Sequence, residues 1–306
     1  MNESALRVAA PLIGIVTVLY NSEEVIDDFF VSLARQGDVA FRLYVVDNSP
    51  TPATLDHCQT LAREHDITVE FVFNNANVGV AKGNNQGIAM ARRDGCRYVL
   101  LANNDTEFAA GTLSALLRPL LQGESIATPK ILFHGPERLV WYAGGRIDAW
   151  TMRTPHIGMH RVDAGQFDAP CHTAYAPTCF LLLDVAVFER IGVMDERYFV
   201  YYDDTDFVWR LTQAGWRIRY VPDAMVQHKV STSTGGERSP FTLYYTNRNR
   251  IYFIRKNFTG MHKAVVLGYV LLTRLLNAAR LSKPQAGRLW AGVKDGLRLS
   301  VRPDAT

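Results

Sequence analysis

Arg97-Tyr98-Val99-Leu100-Leu101-Ala102-Asn103-Asn104-Asp105-Thr106 is the stretch on which the fold turns. Asp94-Gly95 ahead of it is a turn signal, and Arg97 to Ala102 is an apolar run that reads as a buried strand. In an open parallel sheet, ligands gather at the carboxyl ends of the strands. Asn103 and Asp105 stand at such an end, one residue apart, and offer oxygen ligands to a hard cation such as Mg²⁺ or Mn²⁺. Asn-Asn-Asp-Thr is equally a good turn, so the sequence on either side has to decide.

Upstream the pattern alternates. Leu12 to Leu19 is rich in β-branched residues and reads as a strand. Asn21 and Ser22 then offer helix caps, with Glu23 and Glu24 in the first turn of a helix running to about Arg35. Phe41 to Val46 forms a second strand that stops on Asp47-Asn48-Ser49-Pro50. A helix from about Thr54 to Glu64 and a strand from Thr68 to Phe73 follow. The loop Asn74 to Gly79 opens a further helix through Arg92. Strands alternating with helices imply a parallel sheet with right-handed crossovers. Residues 1–130 therefore read as a nucleotide-binding half.

Downstream, Phe133 to Ala176 is irregular and rich in Gly, Pro, His and aromatics, a composition suited to pocket-shaping loops more than to a core. Trp141, Tyr142, Gly144, Gly145 and Asp148 are its candidate pocket residues, Trp141 being equally suited to a core. A strand at Phe180 to Leu183 and a helix to Ile191 lead to Tyr201-Tyr202-Asp203-Asp204-Thr205-Asp206-Phe207. Carboxylates this close repel, and partial burial raises the pKa of at least one, which suggests a general base beside a cation site. The cluster is also a good helix start, with Asp203 or Asp204 as N-cap. Arg217 to Val221 and Met225 to His228 read as two more strands. A lone histidine such as His228 is more often structural than a ligand.

With 306 residues, 48% hydrophobic and 21% charged, the chain fits one large α/β domain or two smaller ones. Cys58, Cys96, Cys171 and Cys179 show neither a C-x-x-C pair nor zinc spacing, which predicts free thiols in a reducing compartment. Met1 to Ala10 carries no apolar h-region, so no secretory signal is expected. From Arg255 onward, ten Lys/Arg face only Asp295 and Asp304, a net of +8 that leaves −5 for the rest of a chain whose total is +3. Within this tail, Ala264 to Thr273 is apolar and too short to span a bilayer. Flanked by His262, Lys263, Arg274 and Arg280, it suits an interfacial helix, and a helix packed on the main domain is the competing reading. No nucleic-acid-binding motif accompanies the charge.

Several stretches together resemble a family-2 glycosyltransferase. These are Ile15 to Ser22, Val45-Val46-Asp47-Asn48-Ser49, Asn77 to Gly87, Asn103 to Thr106, Met194 to Arg210, and Val221-Pro222-Asp223-Ala224 ending at His228. Any one is weak, but their order in register is specific. The Tyr244 to Arg250 stretch is similar to that of rhamnosyltransferases of bacterial surface polysaccharides. The resemblance implies a GT-A fold, a Rossmann-like, mostly parallel α/β sheet flanked by helices, over 1–257, with the acceptor and catalytic half at 131–257. A basic amphipathic helical tail at 258–306 would follow.

It further implies inverting transfer of a sugar, rhamnose from dTDP-rhamnose first, from a nucleotide donor to a lipid-linked glycan. The enzyme would work at the cytoplasmic face of the membrane with Mg²⁺ or Mn²⁺. Asp47 would hold the base or ribose and Thr17 would line the same pocket, while Asn77, Gly79, Gly83 and Asn84 would let backbone approach the nucleotide. Asn103-x-Asp105 would stand for the family's D-x-D motif, with Asn103 in the first place and Asp105 as metal ligand beside His228. Asp204 would be the base and Asp203 its neighbour. Asp206 would orient the acceptor or start the helix, and Arg248 would contact phosphate or decorate a helix. A UDP-galactofuranose or other UDP-sugar donor is the alternative chemistry. A turnover-less glycan- or lipid-binding member is the alternative of another class, supported by the missing first Asp of the metal motif.

Overall fold

The computed structural model describes residues 11–230, 236 and 238–301. The stretch Met1 to Ala10, where no h-region is seen, lies outside them.

The sheet is organised around β1 (Ile13–Leu19), whose apolar run is almost wholly buried. It pairs in parallel with β2 (Phe41–Asp47) on one side and β4 (Tyr98–Ala102) on the other, and β3 (Val69–Phe73) extends the parallel half outward. Helices α1 (Ile26–Ala34), α2 (Ala53–Glu64) and α3 (Val80–Arg93) make the crossovers. The order β3-β2-β1-β4 reverses direction between β1 and β4, which opens a crevice at their carboxyl ends.

Beyond β4 the sheet changes character. β9 (Phe180–Asp184) runs antiparallel to β4 and to β6 (Ile126–Phe133). β6 pairs in parallel with β10 (Ile218–His228), and the short β5 (Thr106–Phe108) closes the edge antiparallel to β10. Helices α4 (Thr112–Leu121) and α5 (Ala186–Ile191) cover this half. The two strands expected at 217–228 are one strand, because the register shift between Val221 and Met225 takes up Pro222 without ending the ladder.

Two other expectations shift. Ser22 accepts a hydrogen bond from Tyr20 N instead of capping a helix, so α1 begins at Ile26, beyond Glu23 and Glu24, with Asp27 and Asp28 in its first turn. The middle segment also contributes more to the core than its composition suggests: around β7 (Val140–Tyr142) and β8 (Cys171–Thr173), Tyr142, Ala143 and Tyr175 are buried in the main cluster.

A second core lies on the far side of the acidic cluster. It joins Met152, Tyr198 and Tyr202 to Ile251, Tyr252, Phe253 and Ile254 of α7 (Pro240–Asn257) and to Val266 and Val270 of α8 (Gly260–Ala278). α7 also packs closely on α9 (Lys283–Arg298). Glycine makes that approach possible: a Cβ at Gly292 would stand 2.3 Å from Tyr244 O, and one at Gly296 would stand 2.4 Å from Arg248 O. α8 is held more lightly, with Met261, Val265, Tyr269, Leu272, Leu275 and Leu276 exposed. Among the described residues, no helix is long and apolar enough to cross a membrane.

Candidate active site

A cavity of about 650 Å³ opens at the crevice between β1 and β4. Its walls include Leu19 to Ser22, Asn48, Asn77, Gly79 and Asn84, and then Asn103 to Asp105, Phe199 and Val200. The loop at its base is pinned by amides: Asn77 Oδ1 accepts from Gly79 N at 3.1 Å, and Asn48 Nδ2 donates to Gly79 O at 3.1 Å. Gly79 has φ +89° and sits against Phe199, where a Cβ would come within 2.6 Å of the ring.

Thr17 and Asp47 are fully buried behind this cavity and do not line it. Thr17 Oγ1 and Asp47 Oδ2 find no hydrogen-bond partner among the described residues, while Asp47 Oδ1 accepts from Ser49 N at 2.8 Å. Burial pushes the Asp47 carboxyl up. Asn48, the next residue, is the one that faces the cavity.

On the opposite wall, the β5–β10 ladder sets His228 against Thr106, which brings His228 Nε2 to 3.1 Å from Asp105 Oδ1. Both residues are buried, and the Trp141 ring packs edge-on against His228 with centroids 4.9 Å apart. Two atoms each about 2.1 Å from one octahedral ion, at right angles, lie about 3.0 Å apart. The pair therefore fits adjacent ligands of a single Mg²⁺ or Mn²⁺. Among the described residues no group of three or more His, Cys, Asp or Glu forms such a site. Two protein ligands suit a cation that fills its remaining positions with water and phosphate oxygens. Asn103, exposed at the cavity edge two residues before Asp105, is a further oxygen donor.

The acidic cluster sits at the N-terminus of α6 (Asp203–Gln213), after a 3₁₀ turn at Glu196–Tyr198. The N-cap is Tyr202, with φ 65°, so Asp203 and Asp204 are already helical. Phe199 and Tyr201 also have positive φ, at 66° and 61°. For side chains of this bulk each costs about 1–3 kcal/mol, and surrounding structure has to hold them there. Asp203 is buried, and burial together with the Asp204 charge pushes its carboxyl up to about 7. Asp204, only half-buried, accepts a short hydrogen bond from Tyr175 OH, and its other oxygen accepts from Thr205 N at 2.6 Å. Burial and the neighbouring Asp204 charge hold the Tyr175 phenol well above its usual range, so it remains a donor.

The model of glycosyl transferase family 2 matches residues 14–192, more than half of the chain. The chain belongs to that family. It is a nucleotide-sugar-dependent glycosyltransferase with a GT-A fold. The N-acetylglucosaminyl-diphospho-decaprenol L-rhamnosyltransferase of Mycobacterium tuberculosis is 27% identical over 279 residues, covering 83% of this chain and 87% of that one. The dTDP-rhamnosyl transferase RfbF of Shigella flexneri is 22% identical over 248 residues, covering 78% and 80%. In fold, the chain is similar to the mannosyltransferase PcManGT of Pyrobaculum calidifontis, solved with GDP-Man and Mn²⁺. There the TM-score is 0.55 at 16% identity, with 95% of this chain and 81% of that one covered.

Within this family-2 chain, several residues singled out from sequence serve the scaffold. Gly83 faces β1 on the helix side, where a Cβ would stand 2.8 Å from Val18 Cγ1. Asp206 does not line the cavity; fully buried, it accepts from Tyr198 OH, Arg210 Nε, Lys256 Nζ and Asn257 Nδ2 at 2.8–3.0 Å. Arg248 Nη2 donates to the carbonyls of Arg197 and Tyr198, both at 2.7 Å, and its guanidinium lies 4.7 Å from the Tyr245 ring centre.

Residues that sequence reasoning passed over lie close by. Asn249 Nδ2 donates to the carbonyls of Tyr198, Val200 and Tyr201 at 2.6–2.8 Å, spanning the whole strained turn. Tyr175 orients Asp204. The signal for Asn249 is in Thr246-Asn247-Arg248-Asn249-Arg250: two amides that the structure buries in a helix need polar partners.

Proposed function

We propose that the protein transfers rhamnose from dTDP-rhamnose, with inversion, to a lipid-linked glycan of a bacterial surface polysaccharide. The reading rests on one arrangement above all. A nucleotide-sized cavity carries Asp105 on its wall with His228 paired behind it, and the Asp203–Asp204 turn adjoins it through Phe199 and Val200. The relatives named for rhamnosyl transfer motivate the sugar.

The nucleotide occupies the crevice, with Asn48, Asn77 and Asn84 offering hydrogen bonds and the orphaned Thr17 and Asp47 oxygens behind them. Asp105 and His228, with Asn103 at the edge, would hold a divalent cation. When bound, that cation neutralises charge on the leaving diphosphate. Asp204 takes the acceptor proton: one oxygen is committed to Tyr175, which fixes the carboxylate, and helix-start geometry holds the other. Asp203, whose carboxyl burial and the Asp204 charge push up, holds its proton more tightly than an exposed carboxylate and so lessens the second charge beside the proposed base. With the acceptor hydroxyl attacking the anomeric carbon opposite the leaving group, a single displacement inverts its configuration.

The exposed side of α8 suits a cytoplasmic membrane surface. Val265, Tyr269, Leu272 and Leu276 recur at helical spacing with Trp150 nearby, and Arg280 and Lys283 are exposed at its end.

A thermal-shift panel of dTDP, UDP, GDP and CDP, each with and without Mn²⁺ or Mg²⁺, tests the donor. A metal-dependent shift with dTDP is the expected result. A shift with UDP alone would replace rhamnose by galactofuranose or a hexose, and no shift with any nucleotide would overturn the transferase reading.

A further inference from the structure

A second cavity, of about 300 Å³, adjoins the first. The same backbone separates them: Phe199 and Val200 line the nucleotide crevice, and Tyr201, Tyr202 and Asp204 line this one. Its other walls carry Arg153, Thr154, Thr246 and Arg250. Arg250 Nε donates to Tyr202 OH at 2.5 Å, which orients the guanidinium. Behind them α8 contributes Arg274, buried at 9% exposure. Arg274 Nη1 donates to Asn247 Oδ1 at 3.1 Å, and its Nε has no partner among the described residues. Burial first, and then repulsion from Arg250, push Arg274 down to about 10, with Arg153 adding to the repulsion.

Three guanidiniums thus converge, and none forms a salt bridge among the described residues, although the chain pairs Arg138, Arg197 and Arg210 with carboxylates. Three guanidiniums against the single Asp204 carboxylate leave a net positive charge, which is costly to fold and favourable to an anion. Planar guanidiniums match phosphate oxygens in particular. The cavity has Asp204 on one wall, and its basic backing comes from the helix whose outer face is apolar.

We propose that the cavity bounded by Arg153 and Arg250 and backed by Arg274 binds a phosphate ester carried by the acceptor, holding its sugar hydroxyl toward Asp204 while its hydrocarbon follows α8. The proposal rests on the transferase reading for the role of Asp204, but the anion site stands on its own geometry.

The test titrates octyl diphosphate, a sugar-free phosphate ester, into the full chain by calorimetry, with octyl glucoside as the phosphate-free control. Octyl diphosphate binds and octyl glucoside does not, and binding persists with dTDP or UDP filling the nucleotide crevice. Arg153→Gln, at an exposed position, and Arg250→Gln each weaken it about tenfold, the loss of one charge-assisted contact. Unchanged affinity in both variants overturns the proposal, and so does displacement of octyl diphosphate by the nucleotide. Sedimentation with phosphatidylglycerol vesicles separates the two sources of phosphate. If the substitutions reduce pelleting but leave octyl diphosphate binding intact, the arginines read bilayer headgroups and the acceptor assignment falls. Failure of the transferase reading would show elsewhere, as no thermal shift with any nucleotide, whatever the diphosphate result.

Discussion

Asp105 stands at the end of a strand and Asp204 at the start of a helix, and the chain secures the two by different means. Asp105 is placed by the ladder: β4 delivers it, β5 and β10 pair beside it, and His228 arrives by register. Little around it is strained. The Asp203–Asp204 turn passes through residues with positive φ at Phe199, Tyr201 and Tyr202, and it is held by side chains from a helix about fifty residues later in sequence, through Asn249 and Arg248. A carboxylate set by backbone pairing tolerates changes in its neighbours, whereas one set by a side-chain clamp depends on each donor.

Substitutions can break that contrast. The largest effect belongs to the proposed base. Asp204→Asn should lower kcat by about 10²–10⁴-fold, the usual range for a general base, while the nucleotide-induced thermal shift stays intact. Near-normal transfer by that variant would move the role to Asp203. Asn249→Ala comes next. It removes the two amide donors shared among three carbonyls of a strained turn, and chemical denaturation should show a loss of about 2–3 kcal/mol, with kcat falling as well. Equal stability would mean the turn holds itself.

His228→Ala probes the other side of the comparison. The ladder should keep its stability to within about 1 kcal/mol, while the metal concentration for half-maximal thermal shift rises at least about tenfold.

A smaller effect concerns pH. Because Asp203 is raised in the folded protein, the native state binds its proton more tightly than the unfolded chain does. Its contribution is present below the unfolded carboxylate range and is lost as pH rises toward 7. Asp203→Asn should therefore flatten the fall in stability between pH 5 and pH 7 by roughly 1–2 kcal/mol, read from denaturation at the two pH values. Leu272→Ser with Leu276→Ser should barely change stability, within about 0.5 kcal/mol, because both side chains are more than half exposed. The same pair should reduce pelleting with vesicles, and unchanged pelleting would remove α8 from the membrane.

The contrast also explains what the sequence made legible. Strand ends announce themselves: an apolar run followed by Asn103-Asn104-Asp105 or by Asp47-Asn48 marks a sheet edge from local residues alone. The positions of β1 to β4 and α3 follow within a residue or two. The Tyr202 cap was hidden because a left-handed tyrosine has no local signature, and acidic residues nearby look like better caps. Asp206 drew attention as a member of the acidic cluster, yet two of its four partners, Lys256 and Asn257, lie far along the chain where spacing carries no information. The continuity of β10 through Pro222 was obscured for the opposite reason: a strong local breaker is overridden by pairing on both sides.

The contact of Gly292 and Gly296 with the backbone of α7 has a consequence for how the enzyme is made. A ribosome adding about 5–20 residues each second releases the crevice strands β1 to β4 on the order of ten seconds or more before α9 emerges. The nucleotide half can therefore assemble while the helix that braces the Asn249 clamp is still being translated. A chain interrupted before Gly292 would keep the residues that line the crevice and lack the helix packed behind the Asn249 clamp, so premature termination is expected to cost the proposed base its support before it costs the crevice its walls.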